Sequence, residues 1–168
     1  DVSGDGQLDL LIAGDFLNAV GDTGGSRYSL NTGTGSFTEQ GHPVPVAPGP
    51  NPDLFAGPDQ NGMGSAIADY DNDGDLDGFV TNWGLGIKNR LYKNNNGSYE
   101  RMTPSTAGDI VADEGEFLAN TWGDFDNDGD QDCFITIDGQ EPGPPSKYYS
   151  NNGKGTFTRV TNIPVVTN

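Results

Sequence analysis

Short apolar runs alternate with clusters of Gly, Asn and Asp along the chain, and no run is longer than a strand. Leu10-Leu-Ile-Ala13, Gly78-Phe-Val-Thr81 and Cys133-Phe-Ile-Thr136 each follow a polar, Asp-rich segment. Downstream lie Arg27-Tyr-Ser-Leu30, Arg90-Leu-Tyr-Lys93 and Lys147-Tyr-Tyr-Ser150. These lead into Asn/Gly turns at Asn31 to Gly35, Asn94 to Gly97 and Asn151 to Gly155. The chain then returns as Ser36-Phe-Thr-Glu39, Ser98-Tyr-Glu-Arg101 and Thr156-Phe-Thr-Arg159. Asn/Gly turns between alternating apolar residues are the local signature of a hairpin. Ser65-Ala-Ile-Ala68 and Asn120-Thr-Trp-Gly123 add a leading strand to the second and third units, while nothing stands before Asp1. One unit therefore reads strand, acidic loop, strand, variable loop, hairpin, and it recurs three times.

The pattern predicts a single all-β repeat domain over 1–168. Its units are expected at 1–40, 63–103 and 120–168, the first without its leading strand and the last carrying a C-terminal strand. A Pro/Gly-rich connector spans 41–62 and a second spans 104–119, with a short helical turn expected around Asp113 to Leu118. Composition agrees. Gly (26) and Pro (11) are abundant and hydrophobic residues make up only 32%, which excludes a helical bundle. No apolar run approaches the ~18 residues of a membrane span. The one cysteine, Cys133, allows no intrachain disulfide. No signal peptide or initiator Met is visible, so a mature or excised segment is expected.

Charge changes the picture more. The formal net charge is −17, which disfavours nucleic acid and anionic membranes as partners. Asp supplies 20 of the 25 acidic residues, and many of these fall in three clusters: Asp1-Val-Ser-Gly-Asp-Gly-Gln-Leu-Asp9, Asp69-Tyr-Asp-Asn-Asp-Gly-Asp-Leu-Asp77 and Asp124-Phe-Asp-Asn-Asp-Gly-Asp-Gln-Asp132. Oxygen-bearing side chains stand at positions 1, 3, 5 and 9 of each. Gly at position 6 permits a sharp turn, and position 7 can offer its backbone carbonyl. Such spacing suits a hard cation wanting six to eight oxygens, calcium before magnesium. Zinc is not expected, because no Cys or His stands within the loops. An EF-hand would need Glu at position 12, where Ile12, Val80 and Ile135 stand. The expected ligands are Asp1, Ser3, Asp5 and Asp9 with the Gln7 carbonyl; Asp69, Asp71, Asp73 and Asp77 with the Asp75 carbonyl; and Asp124, Asp126, Asp128 and Asp132 with the Asp130 carbonyl. Up to three ions are expected, the first held most weakly because Ser3 replaces a carboxylate.

The loop motif running into a strand, followed by Asn-Arg-Leu-Tyr-Lys-Asn-Asn (89–95), resembles the FG-GAP/VCBS repeat. The resemblance implies calcium in each loop and four-stranded blades of a β-propeller, as in integrin-α-like propellers. It further implies an extracellular or cell-surface setting and adhesive or structural roles more than catalysis. Closed propellers need at least about four blades, so about three blades make a partial or open propeller, completed by neighbours or cut from a longer chain.

The tail Pro164-Val165-Val166-Thr167-Asn168, read into Asp1, reproduces the strand-to-loop pattern of the other units. It is therefore a candidate assembly strand, joining the next copy head to tail as a donated strand. Covalent continuation, folding back within the chain and an arbitrary fragment are the other readings. Asn96-Gly97-Ser98 is an N-glycosylation sequon on a hairpin tip, although turn chemistry is the preferred reading of Asn-Gly there. His42 lies in a connector without a nucleophile context, and no catalytic constellation is present, so no enzyme is expected. Cys133 reads as a strand residue and Trp122 as packing. Trp83 is the better candidate for stacking on a sugar. The expected function is a secreted, calcium-binding structural or adhesive protein assembling into a filament or surface array. The alternative is a carbohydrate- or protein-binding propeller fragment.

Overall fold

The computed structural model describes residues 5–12, 27–40, 61–138 and 145–161. Three antiparallel sheets follow one another along the chain. The first holds β1 (Leu10–Ile12), β2 (Arg27–Asn31) and β3 (Phe37–Gln40) in that order. The second holds β4 (Gly62–Ala68), β5 (Asp77–Asn82), β6 (Arg90–Asn95) and β7 (Ser98–Arg101). The third holds β8 (Phe117–Gly123), β9 (Asp132–Ile137), β10 (Lys147–Asn151) and β11 (Phe157–Val160). Each is a meander, so neighbours in sequence are neighbours in the sheet. This is the blade arrangement of a propeller, open rather than closed. The tail 162–168 and the connector 41–60, with His42, lie outside the described residues.

The register repeats as the sequence does. Gly78 to Val80 pair with Tyr92 to Arg90, and Cys133 to Ile135 pair with Tyr149 to Lys147. In the first blade Leu10 to Ile12 pair with Ser29 to Arg27. The Asn96-Gly97 tip places both residues at positive φ, 52° and 86°, which the tight hairpin turn demands.

Two expectations about the second connector are corrected. The helical turns are α1 (Pro104–Ala107) and α2 (Asp109–Ala112), upstream of the expected 113–118. Thr103 caps α1 in a capping box with Thr106, and Pro104 fills the first turn, where its missing N–H costs nothing. Residues 117–118 instead begin β8, three residues earlier than expected. The cause is Phe117, which is fully buried and anchors that strand in the core.

The core lies between the second and third blades. Tyr70, Phe79 and Leu91 from one meet Cys133, Ile135, Tyr149 and Phe157 from the other, with Ala107, Ile110 and Val111 of the short helices sealing the rim. Trp122 stands edge-on to Phe79 (5.3 Å) and to Phe157 (5.7 Å), so it packs, as expected. Cys133 is a buried free thiol in a strand, also as expected. Burial, and next the charge of Asp132, push its pKa well up. Polar groups cross the same interface. The Thr81 hydroxyl donates to the Leu118 carbonyl (2.6 Å), the Asn151 amide to the Tyr70 carbonyl (2.6 Å), and the Asn72 amide to Asp130 (3.0 Å). At Gly155 a Cβ would collide with the Tyr70 ring, so only glycine lets the hairpin approach so closely.

Candidate metal centres

The second and third acidic loops are tight coils, each closed on its first aspartate. Asp69 accepts the Asp73 and Gly74 N–H groups at 3.1 and 3.0 Å, and Asp124 accepts those of Asp128 and Gly129 at 3.1 Å each. The position-5 carboxylate accepts the N–H two residues on: Gln7 to Asp5 at 2.9 Å, Asp75 to Asp73 at 3.0 Å, Asp130 to Asp128 at 3.0 Å. The coil turns through left-handed residues at position 4 (Asn72 and Asn127, φ 59° and 62°) and position 6 (Gly74 and Gly129, φ 94° and 96°). Asn tolerates the first conformation and Gly the second.

This coiling gathers like charges. Carboxylate oxygens of Asp69, Asp71 and Asp73 lie within 4.8 Å of one another, as do those of Asp124, Asp126 and Asp128. Either triplet is close enough to hold a metal ion. The donor set is all oxygen, which suits a hard cation. In the second loop Asp71 Oδ1 is buried with no hydrogen-bond partner among the described residues, a lone acceptor of the kind a bound cation satisfies.

The position-9 aspartates stand outside these triplets and tie each loop to its own hairpin. Asp9 accepts the Asn31 N–H (2.9 Å), Asp77 that of Asn94 (2.7 Å) and Asp132 that of Asn151 (2.9 Å). Asp77 and Asp132 also accept the Tyr70 and Phe125 N–H groups at 3.1 Å each, and Asp132 takes the Tyr148 hydroxyl at 2.7 Å. Burial, backed by the charges of Asp71 and Asp73, raises the Asp77 pKa to about 7 against the lowering effect of the Asn94 and Tyr70 amides. The position-7 side chains turn to the hairpins as well: Asp75 accepts the Asn96 N–H at 2.7 Å. Asn96 itself is exposed at its tip. Asp1 and Ser3 lie outside the described residues.

Two residues escaped the sequence pattern. Lys93 places its ammonium on both Asp71 and Asp73, at 2.7 Å from the latter. Burial opposes that charge, yet the two hydrogen bonds outweigh it and hold Lys93 above its ordinary range. The matching position is Ser150 in the third blade, whose hydroxyl reaches Asp126 at 3.3 Å, and Leu30 in the first. The irregularity of that column across the repeats was the available signal. Asp113 is the second. One of its oxygens takes Lys147 (3.1 Å), Arg159 (3.0 Å) and the Tyr149 hydroxyl (3.0 Å), fastening the connector to the third blade. It has no counterpart in the repeat, so no spacing could reveal it.

Comparison with known families decides the relationship. The FG-GAP-like repeat model matches residues 1–80 and again 69–135. The chain belongs to the FG-GAP repeat family. Both matches of the FG-GAP repeat include the second acidic loop, and the later one includes the third. The FG-GAP repeat is a structural and binding repeat typical of extracellular or surface proteins. A search of curated proteins finds no match. Among the described residues no helix is long and apolar enough to cross a membrane.

Proposed function

We propose that this FG-GAP chain is a secreted, calcium-stabilised structural or adhesive protein that assembles head to tail. The observation that carries the calcium reading is the second loop, where three carboxylates converge and Asp71 Oδ1 lacks a partner among the described residues. Asp69, Asp71 and Asp73 would hold one ion, and Asp124, Asp126 and Asp128 another. Asp77, Asp132 and the position-7 carbonyls complete the shells, and the first loop would hold a third ion more weakly. Calcium supplies positive charge where the coil packs carboxylates together. What the chain supplies is a fixed turn between two strands of a blade.

Calorimetric titration of metal-stripped protein with calcium and magnesium tests this. Calcium-selective heats that are lost in part in Asp71→Asn and in part in Asp126→Asn support the reading. Heats unchanged in both variants overturn it. For assembly, the tail 164–168 is the proposed donated strand and copies of the same chain the proposed partners. Deleting 164–168 without changing the sedimentation behaviour would remove that role from the tail. Glycan attachment at Asn96 is tested by its mass in protein from a glycosylating host.

A further inference from the structure

The third blade grips the second acidic loop at two points, and they fall on either side of one expected ligand. Tyr70 and Asn72 flank Asp71 in the chain. The Asn151 side-chain amide donates to the Tyr70 carbonyl at 2.6 Å, and the Asn72 amide donates to Asp130 Oδ1 at 3.0 Å. Both partners belong to the frame of the third loop. The same Asn151 amide nitrogen also reaches the Gln131 carbonyl (3.0 Å), and the Asn151 backbone N–H donates to Asp132 (2.9 Å). The Asp130 N–H donates to Asp128 Oδ1 (3.0 Å). Asp130 thus holds a carboxylate of the third triplet through its backbone and the second loop through its side chain. Asp71 is carried between two points that the neighbouring loop fixes. Its other company is Lys93, which an ion entering the second loop must displace. In the third loop the same column carries Ser150, a neutral hydroxyl 3.3 Å from Asp126.

We infer that the second and third metal centres are coupled and fill in order, the third first, with Asn72, Asp130 and Asn151 as the positioning residues that carry the effect. This rests on the calcium reading and adds to it an order of filling. With the third loop filled, Asp128 and the Asp130 carbonyl are fixed, and the Asp130 side chain holds Asn72. Asn151, tied to Gln131 and Asp132, holds Tyr70. Asp71 is then set in advance, so less ordering is left for the second ion to impose. The sign of the coupling is diagnostic. Through space, filling the third loop removes negative charge nearby and weakens the attraction of the second loop for a cation. A gain in affinity at the second loop therefore travels through the contacts. By linkage the same factor acts in both directions.

Heteronuclear NMR of the full chain during calcium titration of metal-stripped protein reads each loop separately. The Gly74 and Gly129 amides bond to Asp69 and Asp124 and report the second and third loops. Gly129 should reach its midpoint at lower calcium than Gly74. Asp126→Asn, which disables the third loop, should raise the Gly74 midpoint about fivefold, the low end of usual coupling. Charge alone predicts a lower midpoint, because the lost carboxylate offsets only half of the charge of the missing ion. Asn72→Gly removes one bridge without changing charge. Glycine accepts the φ of 59° there, and the side chain is exposed, so this variant retains the fold. It should raise the Gly74 midpoint and leave that of Gly129 in place. In its background Asp126→Asn should have a smaller effect on Gly74 than in wild type. A Gly74 midpoint unchanged or lowered by Asp126→Asn overturns the coupling and leaves the calcium reading standing. An effect of Asp126→Asn as large with Asn72→Gly as without it, or Gly74 responding before Gly129, overturns the inference as well. Glycine amides that ignore calcium in every variant overturn the calcium reading, and this inference falls with it.

Discussion

Lys93 is an internal cation laid where the second loop concentrates negative charge. With Asp71 and Asp73 as its partners, it lessens their repulsion in the absence of metal and competes with an ion for the same oxygens. Replacing it by Met should lower the metal-free melting stability by on the order of 1 kcal/mol. On the proposed calcium reading, the same change should tighten calcium binding at that loop by about tenfold, roughly 1.4 kcal/mol. Thermal melts in chelator and calorimetric titration read the two effects, and they should run in opposite directions. Unchanged affinity would show that Lys93 leaves the oxygens when the ion arrives. Asp132 calls for a different experiment. Its oxygens accept two backbone N–H groups and a hydroxyl while fully buried. Asp132→Asn replaces an acceptor by a donor there and should cost about 1–3 kcal/mol in a denaturant melt.

At the scale of elements, the strands and acidic loops were legible because two independent signals coincide. Period-two apolar residues give the strand, and Asp-x-Asp-x-Asp-Gly gives the coil before it. The Asn/Gly turns then fix the hairpins. The second connector was legible only in part. Asp113 to Leu118 looked like the start of a helix, whereas Thr103-Pro104 starts it and Phe117 is drawn into a strand by the core. That pull is tertiary and leaves no local trace. The metal triplets were likewise readable from spacing, but the second duty of Asp9, Asp77 and Asp132 was not. Their bonds reach residues 22, 17 and 19 positions away. These links make loop and hairpin one element, so on the proposed calcium reading, removing the ion should loosen the hairpin tips along with the coils. Hydrogen exchange of the Asn94 and Asn151 amides, with and without metal, checks this: protection should fall on chelation.

Across the whole molecule, stability concentrates between the second and third blades, where the largest side chains meet. Trp122→Ala removes a ring shared by both and should cost about 3–5 kcal/mol. Cys133 sits in that same contact, fully buried and with its thiol held protonated. Its position makes it a natural clock for blade separation. A thiol reagent added to native protein can reach it only when the second and third blades part or the third blade opens. The labelling rate therefore reports how often that happens, without any engineered probe. If calcium and neighbour docking both brace the structure, each should slow the label, and their combined slowing would reveal whether the two act on the same opening or on separate ones.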